Sequence, residues 1–395
     1  MGIVSPVGPD AESSWQALLA GRSGVAATAG IDVTDLPVRI AAQVPDLDVA
    51  AMLGVRQTRA LDRFAQLAVI AAREAVISPG WELTGGPRWS TVIGTGFGGV
   101  ETFEQAMITL SQRGPRRISP YTAPAMIPNA AVAAVALDAG ARGQSLCPTT
   151  ACAAGTDAVG LGADLIRLGR ADVVLAGGAE APVTRAMLAF FAGTRAASTR
   201  NDEPERACRP FDRDRDGMVI AEGAAVLVLE DAELAAARGA TVLCEVVGYA
   251  ATSDAYHVTA PDPAGTAAEA ALRHALSVAG VTRTDHVNAR GTGTRLGDAA
   301  EAAVLSRVLG AEVPTTATKS MTGHLMGAAG ALEAAVSALA IRDQRIPPTT
   351  NCDVLDAECA GVSVVRTAVG AALRDVVSTS FGFGGHNAVL VLRRP

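Results

Sequence analysis

Aromatic side chains are scarce: 3 Trp, 3 Tyr and 8 Phe make up 4% of the 395 residues. A core with so few large rings must close through Ala, Gly and aliphatic side chains, in tight helix-on-sheet contact. Charge is sparse as well, at 18%, against 49% apolar residues. That balance excludes a disordered chain and demands a large buried core. Basic charge is in deficit, with a net charge of −7. Bulk nucleic-acid binding needs a basic footprint and is not expected. No apolar run reaches membrane-spanning length, so no membrane role is expected. The start, Met1-Gly-Ile-Val-Ser-Pro-Val-Gly-Pro-Asp10, lacks the basic-then-apolar order of a signal peptide. The cytoplasm is the expected compartment. Six cysteines stand at 147, 152, 208, 244, 352 and 359. Only Cys147 and Cys152 are close, and their spacing fits neither zinc nor C-x-x-C redox chemistry. The others read as small buried apolar residues in a reduced protein.

What is present alternates. Short β-branched runs are expected as buried strands at 91–94, 172–178, 225–230, 242–249, 286–289, 315–318, 362–365, 376–380 and 388–392. Ala/Leu-rich segments of helical period lie between them, at 156–168, 267–279, 298–309 and 328–342. The pattern predicts an α/β class with largely parallel sheets. Each half carries a strand, a tight polar-Gly turn and a helix, one around Cys152 and one around 318–324. A charged, Ala-rich seam near Glu230–Gly239 divides the chain into 1–235 and 236–395. No residue-level repeat stands out.

Three motifs carry chemistry. Ser145-Leu-Cys-Pro-Thr-Thr-Ala-Cys-Ala-Ala-Gly155 places Cys152 at a helix start, where unpaired N–H groups and the macrodipole favour a thiolate. Its small neighbours leave room for a substrate. A buried structural cysteine in an Ala-rich helix is the plain alternative. Thr318-Lys-Ser-Met-Thr-Gly-His-Leu-Met-Gly-Ala-Ala-Gly330 sets Lys319 and His324 in an otherwise small, apolar unit. They could equally be a capping lysine and a core histidine. Ser380-Phe-Gly-Phe-Gly-Gly-His-Asn387 alternates glycines around Phe383, as a mobile loop or close backbone approach would require. Asn288-Ala-Arg-Gly-Thr-Gly-Thr294 is a weaker signal, a hydroxyl-rich turn after a strand. Gly94-Thr-Gly-Phe-Gly-Gly99 superficially matches a dinucleotide fingerprint. No acidic residue ends a second strand where the ribose contact would fall, so nucleotide binding is not expected.

Together these motifs resemble the β-ketoacyl-[acyl-carrier-protein] synthases, most closely the synthase II type of fatty-acid and type II polyketide systems. The likeness runs almost the whole chain. It includes Gly114-Pro-Arg-Arg-Ile-Ser-Pro120, Met126-Ile-Pro-Asn129, Val174-Leu-Ala-Gly-Gly-Ala-Glu180 and Arg209-Pro-Phe-Asp-Arg-Asp-Arg-Asp-Gly217. It implies a thiolase-like five-layer αβαβα fold built from two similar halves. It implies a dimer, either a homodimer or a heterodimer with a related ketosynthase-like subunit. No bound cofactor is implied; the phosphopantetheine arm of an acyl carrier protein brings the substrate. By resemblance Cys152 takes the acyl group. His324 donates to the malonyl thioester oxygen as an enolate forms, and Lys319 orders the site. The backbone N–H groups of Cys152 and Phe383 make an oxyanion hole. Phe383 is also the gate, in the loop with Gly384. Thr292 and Thr294 contact pantetheine. Arg116, Arg117 and Arg195 match positions that meet the acidic carrier protein.

The chain departs from the family in four places. Arg290 stands where a second catalytic histidine precedes Gly-Thr-Gly-Thr. Arginine donates hydrogen bonds but is no base near neutral pH. It could clamp the malonyl carboxylate and oppose loss of carbon dioxide. His386 replaces a threonine and is expected to be a loop histidine, with substitution for the lost imidazole as the alternative. Phe97 replaces a smaller aliphatic at the floor of the acyl pocket and, near Phe191, predicts a shortened pocket. The strand that normally precedes Gly2-Ile-Val-Ser-Pro6 is missing, which implies a shortened start or a remodelled sheet edge. The expected activity is acyl transfer to Cys152 followed by decarboxylative condensation, with elongation altered by Arg290. The rivals are a non-elongating acyltransferase and a chain-length-factor-like subunit, the latter disfavoured by the presence of Cys152. A thiolase acting on coenzyme A is weaker still, because its late cysteine motif is not evident.

Overall fold

The structure is a computed structural model that describes residues 1–45, 47–77 and 85–395. Two mixed sheets carry it. The first contains β1 (Gly2–Val4), β2 (Trp89–Gly94), β3 (Ser145–Leu146), β4 (Val173–Glu180) and β5 (Gly223–Glu230), in the order β3-β2-β4-β5-β1. The second contains β6 (Glu245–Ser253), β7 (His286–Asn288), β8 (Pro314–Thr316), β9 (Ser363–Val364), β10 (Asp375–Phe381) and β11 (His386–Arg393). Its order is β9-β8-β7-β10-β11-β6. Apart from the added edge strand β9, the two orders are the same. So are the directions: parallel, parallel, antiparallel, antiparallel along each sheet.

The helices that matter here are α1 (Arg63–Val76), α2 (Val100–Arg113), α3 (Ala130–Ala139), α4 (Ala154–Arg167), α5 (Arg185–Thr194), α6 (Thr266–Ala279), α7 (Arg295–Leu309) and α8 (Ala329–Asp343). α1 and α3 cover the outer face of the first sheet, and α6 covers the outer face of the second. α4 and α8 fill the space between the sheets. This is the expected five-layer order. β4 is buried at every residue, so it shows no alternation of apolar and polar side chains. α8 is buried from Ala329 to Ile341, and its alanines let it lie against two sheets at once. α4 and α8 meet through glycine: a Cβ on Gly330 would lie 2.0 Å from Thr156 Oγ1, and one on Gly155 2.6 Å from Ala331 N. The scarcity of aromatics is thus spent on a close central layer.

Two expectations need correction. The sheets are parallel on one side only; β5 and β1, and β11 and β6, run antiparallel. The four residues from Gly382 to Gly385 between β10 and β11 are too few for the crossover that parallel strands require. Strand limits also moved. The strand expected at 242–249 runs from Glu245 to Ser253, because it follows its ladder with β11. The one expected at 315–318 ends at Thr316, because Thr318 already opens the helical turn Lys319–Thr322. At the start of the chain, Gly2–Val4 itself forms an edge strand on β5.

Candidate active site

Equivalent corners of the two halves supply the two sides of the site. After β3 the chain makes a 3₁₀ turn, Ala151–Ala153, and enters α4. After β8 it makes the turn Lys319–Thr322, then a 3₁₀ turn, Met326–Ala328, and enters α8. The first residue of each 3₁₀ turn is left-handed, Ala151 at φ 50° and Met326 at φ 46°. Such a conformation in a non-glycine residue costs of order 1–3 kcal/mol and marks a turn held by its surroundings. Cys152 sits in the first of these turns, just before the N-terminus of α4.

Cys152 Sγ lies 3.1 Å from His324 Nε2. His324 Nδ1 accepts the backbone N–H of Met326 at 3.2 Å, so the ring proton sits on Nε2. The histidine backbone is pinned by the first half: His324 N–H donates to Val219 O at 2.7 Å, and Ala221 N–H to His324 O at 3.0 Å. Burial, then the Lys319 and Arg290 cations, hold the imidazole well below its usual range. His324 is therefore a neutral donor.

Lys319 is only 2% exposed. Its ammonium donates to Arg290 O at 2.7 Å and pairs with Glu333 on α8. Burial raises Glu333 to about 7 against the pull of Lys319. Lys319 is the only lysine in the chain; every other basic side chain of the aliphatic-stem type is arginine. That count was available in the sequence and singles out a position where the planar, bulkier guanidinium does not replace a compact ammonium.

Cys152 retains partial exposure. Burial raises its thiol above the ordinary value; Arg290, Lys319 and the N–H of Phe383 pull the other way. The expected thiolate is thus outweighed: desolvation disfavours the charged form more than these neighbours favour it. Phe383 places its N–H at Cys152, and its half-buried ring lies against the apolar cluster that includes Met326 and Phe191. Gly384, at φ 82°, packs against the His386 ring, where a Cβ would lie 3.1 Å from it. His386 is the first residue of β11 rather than a loop residue, and its ring faces the turn at Gly384.

Arg290 is buried at 8% exposure, and its Nε has no hydrogen-bond partner among the described residues. Its N–H donates to Glu301 at 2.8 Å and its carbonyl holds Lys319. Its guanidinium reaches Gly297, where a Cβ would lie 2.8 Å from Arg290 Nη1, and the residue lines an open cleft with Asp254, Asp262 and Glu301. Its charge reaches Cys152 and His324. Thr292 and Thr294 join hydroxyls at 3.0 Å. Their loop is held by Asp298, which accepts Thr292 N–H at 3.0 Å. The Phe97 and Phe191 rings meet edge to face at 5.9 Å. Arg116, Arg117 and Arg195 are all exposed, the first two on the turn Pro115–Arg117 and the third closing α5.

Sequence reasoning missed the buried carboxylates. Glu333, Glu301, Asp298 and Glu180 are all at 2% exposure or less, and each meets its partners only after folding. Glu180 ends β4 and accepts the N–H groups of the Gly94–Gly99 loop, so that glycine-rich stretch cradles a carboxylate of its own chain.

Residues 1–235 match the family described as "Beta-ketoacyl synthase, N-terminal domain", and residues 243–353 match "Beta-ketoacyl synthase, C-terminal domain". The chain is 41% identical over 401 residues to the 3-oxoacyl-[acyl-carrier-protein] synthase 2 of Staphylococcus aureus (strain N315), covering 100% of this chain and 97% of that protein. It is 42% identical, with the same coverage, to the protein of that name from Coxiella burnetii (strain RSA 493 / Nine Mile phase I). Among solved structures, the ishigamide ketosynthase/chain length factor superposes with a TM-score of 0.93 at 36% identity, covering 100% and 97% of the two chains. A type II PKS acyl-carrier protein in complex with its ketosynthase bound to the hexaketide superposes with a TM-score of 0.91 at 29% identity, covering 100% and 98%.

Proposed function

The chain belongs to the β-ketoacyl synthase family, and on that premise we propose how its residues divide an acyl-transferring condensation between them. The protein is a condensing ketosynthase of fatty-acid or polyketide synthesis, and its substrates arrive as thioesters of carrier-bound phosphopantetheine. Cys152 attacks the first thioester. Its proton leaves with the departing pantetheine thiol, and the acyl group stays on sulfur. The oxyanion formed in that transfer sits between the N–H groups of Cys152 and Phe383. A malonyl thioester then enters past Phe383. Its carboxylate carbon–carbon bond breaks, carbon dioxide leaves, and the electron pair becomes an enolate whose oxygen accepts the Nε2–H of His324. The enolate carbon attacks the acyl-Cys152 carbonyl and expels the thiolate. The observation that carries this reading is the 3.1 Å contact of His324 Nε2 with Cys152 Sγ, with the ring proton fixed on that nitrogen.

Lys319 adds to burial in keeping His324 neutral and is itself held by Glu333 and the Arg290 carbonyl. Arg290 acts by charge, holding the Cys152 thiol down from where burial alone would put it. Its aim toward Gly297 supports a condensation that runs on His324. Thr292 and Thr294 guide pantetheine. Phe97, edge to face with Phe191, shortens the acyl pocket. Arg116, Arg117 and Arg195 dock an acidic carrier protein. The chain pairs with a second ketosynthase-like chain, either a copy of itself or a related subunit; β3 is the sheet edge open to it. The halves divide at 235/236.

Incubation with malonyl-carrier protein tests the reading. Wild type releases carbon dioxide, and Arg290→His changes that rate by less than about tenfold, whereas an Arg290→His variant faster by 10²–10⁴-fold would make the arginine an elongation block.

A further inference from the structure

Glu180 serves none of the steps above. It is fully buried at the end of β4, and its two oxygens accept four hydrogen bonds from two separate segments. Oε1 accepts Thr95 Oγ1 at 2.8 Å and Phe97 N–H at 3.1 Å. Oε2 accepts Gly96 N–H at 2.5 Å and Gly327 N–H at 2.9 Å. The first segment carries Phe97; the second follows His324 by three residues. The two lie so close that a Cβ on Gly327 would come within 2.3 Å of Gly96 N. Thr95 N–H also reaches Pro148 O, in the run leading to Cys152, at 3.3 Å.

We infer that Glu180 is a specificity-determining positioning residue, which locks the Phe97 loop to the turn after His324 and thereby fixes the depth of the acyl pocket. This rests on the reading of Phe97 as the pocket floor. Carboxylate chemistry is required. Both oxygens must accept, two donors each, and two of the four donors share one oxygen from opposite segments. A glutamine keeps the shape but turns an NH₂ group on one pair of donors. The lock then opens on that side, and the Phe97 ring is free to leave Phe191.

The test is the rate at which hexanoyl- and dodecanoyl-pantetheine acylate Cys152, read by intact mass and expressed as the ratio of the two kcat/KM values. Phe97→Ala should lower the short-to-long ratio about tenfold or more, the low end of what one methylene is worth in an apolar pocket. Glu180→Gln should lower it in the same direction, and Thr95→Val, which removes one donor, by a smaller factor. Because Glu180 acts through Phe97, the double variant Glu180→Gln/Phe97→Ala should show no larger change than Phe97→Ala alone. Thr95→Val serves where Glu180→Gln fails to fold. The inference is overturned if Glu180→Gln slows both donors by one factor, or if the two substitutions multiply. If Phe97→Ala leaves the ratio unmoved, the pocket-floor reading falls and this inference with it; if Phe97→Ala moves the ratio and neither Glu180→Gln nor Thr95→Val does, the inference alone falls.

Discussion

The corner before α4 and the corner before α8 are the same structure put to different uses. Both make a 3₁₀ turn with a left-handed first residue, and both continue Ala-Ala-Gly, as Ala153-Ala-Gly155 and Ala328-Ala-Gly330. In the first corner the second residue of the turn is Cys152. In the second it is Gly327, where no side chain fits. The second half therefore cannot present a nucleophile at the matching point. It presents His324, three residues earlier, reaching across to the sulfur of the first half. The shared strand order brings the two corners together, and burial sets their chemistry. Desolvation keeps His324 neutral and raises the Cys152 thiol, while one ammonium and one guanidinium oppose the second effect and reinforce the first.

Removing the first corner's side chain should be the most severe change. Cys152→Ala should show no covalent acyl adduct by intact mass with any acyl donor. Removing the second corner's donor comes next. His324→Ala should cut malonyl decarboxylation by roughly 10²–10³, the scale of one lost oxyanion donor. A smaller loss would mean that the two corners do not work as a pair.

Much of this pairing was legible in the sequence. Cys152, Lys319, His324 and Phe383 stand in local motifs whose small neighbours announce tight turns. The alternation of strands and helices gave the α/β class. The shared strand order was not legible, because it lies in ladders between segments far apart in sequence, and the local repeat is only three residues long. Nor could Glu180 be placed: its partners are Thr95 to Phe97 and Gly327, 83 to 147 positions away. The aim of Arg290 also had to come from the fold, since a long side chain in a loop can point several ways.

The charge asymmetry between the corners offers two further tests. Lys319→Ala leaves Glu333 buried without its cation. Such a break costs roughly 3–5 kcal/mol and should lower Tm in a thermal melt. It also lifts one of the effects that depress His324, so activity should fail at a higher pH on acidification than in wild type. Unchanged melting and pH profiles would remove Lys319 from the account. Arg290→Met should have the mildest effect. Arg290 pulls the Cys152 thiol down, so its loss should move the iodoacetamide alkylation profile of Cys152 to higher pH; a downward or absent shift would mean that its charge does not reach the sulfur.

The measurement closest to the central claim is peptide-mapped mass spectrometry of the wild-type protein, first with acyl-carrier protein and then with malonyl-carrier protein. The acyl mass should appear on the Cys152 peptide alone. It should leave on addition of the malonyl thioester, with a β-ketoacyl chain two carbons longer on the carrier. A Cys152 peptide that stays unmodified with every donor offered, or an acyl group that malonyl-carrier protein never removes, would contradict the division of labour between the two corners.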